Sequence, residues 1–170
     1  MRQGLIAAAV ALAAAAAAGC NITPTKAYEG PSRPARELAF LKGGAVGEEM
    51  NPIQLNPVTV VNLSMIDGAA HRDGTYYASV LPGRRWIGVE ATLRIGTRRS
   101  RQFCALEIDA LAGCTYTPSA PSAPSDAANG PWEWSVDMLV GATCADGAAF
   151  QARLPARCGS SAKVFERKSP

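Results

Sequence analysis

The sequence predicts an all-β, antiparallel domain, on three observations. Trp86 to Ile95 alternates strictly, with Ile87, Val89, Ala91, Leu93 and Ile95 on one parity and Trp86, Gly88, Glu90, Thr92 and Arg94 on the other. Successive strand side chains point to opposite faces, so this is the pattern of a strand with one face buried. Val58 to Met65 is dense in β-branched residues, which suit a pleated, half-buried surface. Gly and Pro punctuate the apolar runs, as at Asp67-Gly68, Pro82-Gly83 and Asp146-Gly147, and no long helical pattern lies between them. Together these indicate an antiparallel sandwich or open barrel of about seven strands.

The chain opens with a positive Met1-Arg2 and runs uncharged from Leu5 to Ala18. This is the form of a secretory leader, and the run is shorter than the roughly 20 apolar residues that span a bilayer as a helix. It ends in Ala17-Ala18-Gly19-Cys20, small residues before a cysteine. That resembles the lipobox of bacterial lipoproteins, although Ala17 stands where Leu is commonest. The resemblance implies removal of residues 1–19 and a diacylglycerol on the Cys20 thiol. With Asn21 next, it also implies the periplasmic face of the outer membrane rather than the inner membrane. Cysteine parity agrees, because setting Cys20 aside from the 5 cysteines leaves an even set, Cys104, Cys114, Cys144 and Cys158, in an oxidising compartment.

The remainder, residues 20–170, is one domain's worth of chain. Its net charge is one unit below the +3 of the whole sequence, because Arg2 leaves with the leader; no global field follows. Residues 20–36 hold Pro24, Gly30, Pro31 and Pro34 among polar residues and read as a lipidated, disordered tether. A β domain spans 37–159. Arg36 to Leu41 is a short helix or a first strand. Strands follow at Val58 to Met65, Thr75 to Leu81, Trp86 to Ile95, Arg101 to Asp109, Cys114 to Thr117, Trp132 to Val140 and Ala148 to Leu154. Residues 117–131, rich in Pro, Ser and Ala, read as a surface loop, and 160–170 as a flexible tail.

Tyr28-Glu29-Gly30-Pro31, Arg33-Pro34-Ala35-Arg36-Glu37-Leu38-Ala39, Ile66-Asp67-Gly68 and Leu81-Pro82-Gly83-Arg84 form a further pattern. Over roughly Tyr28 to Tyr116 the chain resembles a group of small bacterial envelope lipoproteins. The resemblance implies a sheet of immunoglobulin-like type and carries no activity to transfer. This chain departs from the group at Arg85-Trp86, in the Ser/Ala/Pro insert and in the Cys144/Cys158 segment.

Candidate chemistry is sparse. His71 is the sole histidine, near Ser64 and Asp73, but no Gly-x-Ser-x-Gly elbow exists, so it reads as a loop residue. The cysteines lack the close pairs of zinc sites and are expected as disulfides. Three connectivities are open, with Cys104–Cys114 and Cys144–Cys158 the local choice. Glu107 and Asp109 share a strand parity and read as a solvated face beside arginines. Trp132 and Trp134 share a parity and read as core closure. Arg94, Arg98, Arg99 and Arg101 flank a Gly96-Thr97 turn, near Arg84 and Arg85 if the sheet closes that way. Guanidinium forks of this kind suit phosphate or carboxylate.

The expectation is therefore a non-enzymatic, lipid-anchored envelope protein without cofactor, metal or nucleic-acid partner. It would sit on the membrane through lipid on Cys20 and act on an unidentified envelope component. The alternative is a binding module for anionic lipid, lipopolysaccharide or glycan through the arginine hairpin.

Overall fold

A computed structural model of the chain describes residues 22–46, 58–95, 98–121 and 133–166; at 44–46, 58–59, 72–75, 93–95 and 98–99 the description is of backbone alone. The strands are β1 (Thr25–Lys26), β2 (Ala39–Lys42), β3 (Gly44–Val46), β4 (Val58–Ile66), β5 (Ala69–Thr75), β6 (Tyr77–Val80), β7 (Gly83–Ile95), β8 (Arg98–Ala110), β9 (Cys114–Pro118), β10 (Glu133–Cys144) and β11 (Ala149–Gly159). The all-β class holds. The expected arrangement of about seven antiparallel strands in an immunoglobulin-like form does not. Instead, a single 11-stranded sheet runs β1-β6-β2-β9-β10-β11-β8-β7-β4-β3, with β5 also on β4. It is mixed, because β1 lies parallel to β6 and β2 parallel to β9. The additional strands β1, β3 and β5 are short or polar segments; they are strands because a partner edge is there to pair with, and no periodicity of their own announces them.

The sheet curls into a half-barrel because two strands change partners at one place. Segment β2–β3 pairs with β6 and β9 before Gly43 and with β4 after it. Segment β5–β6 pairs with β4 before Tyr76 and with β2 after it. The two switch points are tied together by Gly43 N–H donating to Tyr76 O at 2.7 Å. Gly43 is required here, since a Cβ would stand 2.5 Å from the Val61 carbonyl oxygen.

Inside the curl lies one continuous apolar core that includes Leu41, Leu63, Ile87, Val89, Leu106, Ile108, Met138 and Val140. The parity expected in Trp86 to Ile95 is observed where side chains are described, with Ile87, Val89 and Ala91 buried. Tyr116 closes one end. Its hydroxyl donates to Asp109 O at 3.1 Å and accepts from Leu111 N–H at 2.9 Å, satisfying two backbone groups where β8 turns towards β9.

Both disulfides join residues that already face each other across neighbouring strands. Cys104 on β8 bonds Cys158 on β11, and Cys114 on β9 bonds Cys144 on β10. The local pairing expected from sequence is thus corrected. Strand β8 pairs with β7 and β11 but not with β9, so Cys104 meets a cysteine 54 residues away.

Two segments expected to be free are partly docked. The tether is pinned from Thr25 onward by the β1–β6 pairing, and a 3-10 turn forms at Ala35–Glu37, where a helix or strand was open. In the tail, a 3-10 turn at Ala162–Phe165 buries Val164 and lays Phe165 over Gly88, edge-on to Phe103 at 5.8 Å. The Arg157 guanidinium holds this turn by donating to Val164 O and Glu166 O. The start of the 117–131 loop belongs to β9, and Ser119 N–H donates to Leu139 O; residues 122–132 lie outside the described part.

Candidate functional site

The Ile66-Asp67-Gly68 and Leu81-Pro82-Gly83-Arg84 turns meet in space. Asp67 takes a left-handed conformation (φ 51°), tolerable for Asp, and is followed by Gly68 at φ 87°. This aims the Asp67 carboxylate across to β7, where Oδ1 accepts from Trp86 N–H and Oδ2 from Arg85 Nη1, both at 2.9 Å. Arg85 also donates from Nε to Leu81 O and from Nη2 to Pro82 O, using its fork to fasten the Pro-Gly turn. Both motifs are therefore parts of one backbone clamp. A cleft of about 420 Å³ opens beside it, lined by Met65, Asp67, Gly68, Trp86, Phe165 and Glu166.

The chain matches no protein-family model, no curated protein and no solved structure.

Function must accordingly be read from the side chains. The arginines do not gather into one patch. Arg84 and Arg85 lie at one end of the β7–β8 hairpin and Arg94, Arg98 and Arg99 at the other, about 30 Å away at ~3.3 Å per residue. Arg84 stands 3.9 Å from both Glu107 and Asp109, all three on an exposed face, as the solvated-face reading anticipated. Arg101 pairs with Glu90 at 3.3 Å. In register Arg94 stands opposite Arg99 and Thr92 opposite Arg101, whereas Arg98 stands opposite Ile95; the side chains of Arg94, Arg98 and Arg99 lie outside the described residues.

His71 belongs to β5 rather than to a loop, because the segment pairs with β4. Among the described residues no hydrogen bond joins it to Ser64, and the Asp73 side chain lies outside them. Trp134 packs half-buried against the core, while Trp132 and Cys20 lie outside the described residues. Among the described residues, no helix is long and apolar enough to cross a membrane, and no group of three His, Cys, Asp or Glu side chains converges on a metal position.

A second cleft, of about 480 Å³, lies on the same sheet. It is lined by Ile22, Lys42, Gly43, Tyr76, Tyr77 and Thr115, at the corner where β2 and β6 change partners. Ile22 is 70 % exposed and Tyr76 52 % exposed. Tyr77 is held by stacking on Phe40 at 5.6 Å. The only signal for it in the sequence is the Tyr76-Tyr77 pair, which breaks strand parity at a partner switch.

Proposed function

We propose that this protein is a lipid-anchored, non-enzymatic component of the cell envelope, held by acyl chains on Cys20 at the periplasmic face of the outer membrane and acting by contact with another envelope component. One observation carries the reading: Cys20 follows Ala17-Ala18-Gly19, and the other four cysteines bond to one another in two disulfides. Two or three acyl chains contribute about 0.8 kcal/mol per buried methylene, enough for stable anchoring. The non-enzymatic reading draws support from the carboxylates Glu107 and Asp109, which are exposed and share Arg84. The Asp67 and Pro82-Gly83 turns, shared with the small envelope lipoproteins that the chain resembles, fasten backbone through Arg85 and Trp86, which is a structural role.

The test is an intact mass of the protein taken from its own membranes, followed by mild crosslinking in the same envelopes. A chain starting at acylated Cys20 and a recurrent crosslinked envelope protein are expected; a mature end elsewhere, or an unmodified Cys20, overturns the anchor.

The strand register favours one second reading, the anion-binding hairpin. In register Arg94 stands opposite Arg99, and like charges at facing positions of a sheet are as a rule destabilising, a pairing that a bound anion would relieve. On that reading, glutamate at Arg94 and Arg99 abolishes binding of lipopolysaccharide or anionic liposomes; unchanged binding removes it.

A further inference from the structure

We infer that the Ile22, Lys42, Tyr76 and Tyr77 face is the surface that rests on the phospholipid headgroups, so that the domain lies on its membrane in one orientation instead of swinging on a leash. This rests on the proposed lipidation of Cys20 and specifies what that anchor does to the fold.

A free tether over 20–36 would place the domain a root-mean-square ~20–25 Å from its lipid. The leash is in fact cut short, because Thr25 and Lys26 are hydrogen-bonded beside Ala78 and Ser79. Ala27 N–H adds a further bond to Ser79 O at 2.9 Å. From Cys20 to Ile22 there are two residues, which span at most ~7 Å when fully extended. The acyl chains are therefore confined to the neighbourhood of Ile22. Because β1 runs parallel to β6, the chain approaching Thr25 arrives at the Tyr76-Tyr77 end of β6. Whatever membrane receives the lipid must meet that end of the sheet.

The chemistry of the face suits headgroups. Tyrosines put an apolar ring and a polar hydroxyl at the interface between water and hydrocarbon. Tyr76 is more than half exposed, and Tyr77 is kept in place by the Phe40 ring. Lys42 is exposed beside them, opposite Tyr77 in the strand register, and its ammonium group suits lipid phosphate. Ile22 supplies the apolar side chain nearest the anchor. Ile22 and Tyr76 are thus exposed together at the corner where a bilayer anchored through Cys20 would lie.

Hydroxyl-radical footprinting tests the inference. The lipidated full-length mature protein is reconstituted in phosphatidylethanolamine and phosphatidylglycerol vesicles, and compared with a leaderless Cys20→Ser protein in solution. Intact mass of the first sample establishes acylation independently. Oxidation of Tyr76 is expected to fall several-fold on the vesicles, while Phe150, exposed on β11, stays equally reactive in both. In the Lys42→Glu, Tyr76→Ser double variant, altered only at exposed positions, oxidation of Tyr77 on the vesicles is expected to approach that variant's own value in solution, because the leash brings this end near the membrane and these side chains hold it there; protection of Tyr77 as large as in the parent overturns the role of the face. Equal Tyr76 reactivity in an acylated sample overturns the orientation and leaves the anchor standing. An unacylated sample overturns both. Protection that grows with protein density on the vesicle marks a second copy on this face and overturns the inference as well.

Discussion

Replacing Cys104 and Cys158 together by alanine is expected to destabilise the oxidised domain by about 3.5 kcal/mol, a value that follows from how the bridges are nested. Their separations are 54 and 30 residues, and the Cys114–Cys144 loop lies inside the Cys104–Cys158 loop. Taken alone, closing the outer loop removes chain entropy equivalent to ~4.2 kcal/mol at 25 °C, and closing the inner one ~3.6 kcal/mol. With the inner bridge intact, the outer path is shortcut to about 25 residues and its own contribution drops to ~3.5 kcal/mol. The same double substitution is therefore about 0.7 kcal/mol more costly in a protein that already lacks the inner bridge. For a domain of this size the first figure corresponds to a Tm lower by about 7–14 °C. Differential scanning calorimetry of the four bridge combinations reads both the loss and the coupling, with non-reducing peptide mapping of the parent protein alongside. A mapped link between Cys104 and Cys114, or a Tm change under about 2 °C, would refute the cross-strand nesting.

Other outcomes follow from single contacts. Tyr116→Phe strips the hydroxyl from Asp109 O and Leu111 N–H and is expected to cost about 1–2 kcal/mol in urea unfolding, with the m-value unchanged. Gly43→Ala drives a Cβ towards the Val61 carbonyl oxygen at 2.5 Å, and a loss of at least about 1–3 kcal/mol is expected by the same assay; a neutral result would show that the β2–β3 corner is not tight. Asp67→Asn keeps an acceptor for Trp86 N–H and tolerates the left-handed backbone, so its Tm should fall less than that of Asp67→Ala, which loses both. Phe165→Ala uncovers Gly88 and Phe103 on the outer face, and hydrogen exchange is expected to accelerate in 162–166 while the core strands keep their protection.

Strands that bury one face were legible because each carries its own period. The inward positions of Trp86 to Ile95 and of Arg101 to Asp109 follow from their period, and Ile87, Val89, Cys104, Leu106 and Ile108 are buried; Gly88 and Ala105, which face each other on the opposite parity, are buried too, Gly88 beneath Phe165 of the last turn. Turns were legible where geometry restricts the residue, as at Asp67-Gly68 and Asp146-Gly147, where Gly147 sits at φ 85° and Ala148 N–H donates to the Asp146 carboxylate. The second cleft was not legible, because Ile22, Lys42, Tyr76 and Thr115 come from four distant stretches that meet only when β2 and β6 pair.

By itself, then, the sequence determined what depends on neighbours along the chain: strand parity, turn positions, the small residues before Cys20, and an even number of cysteines beyond it. Tertiary structure alone decided what depends on partners across space. Strand β8 lies beside β11, so Cys104 bonds Cys158; β6 offers an open edge, so Thr25 and Lys26 become a strand; Arg157 reaches across, so the last turn is held. The reason is physical: a side chain's period is written into adjacent residues, whereas the choice of hydrogen-bonding partner is settled only when the whole sheet curls around one core.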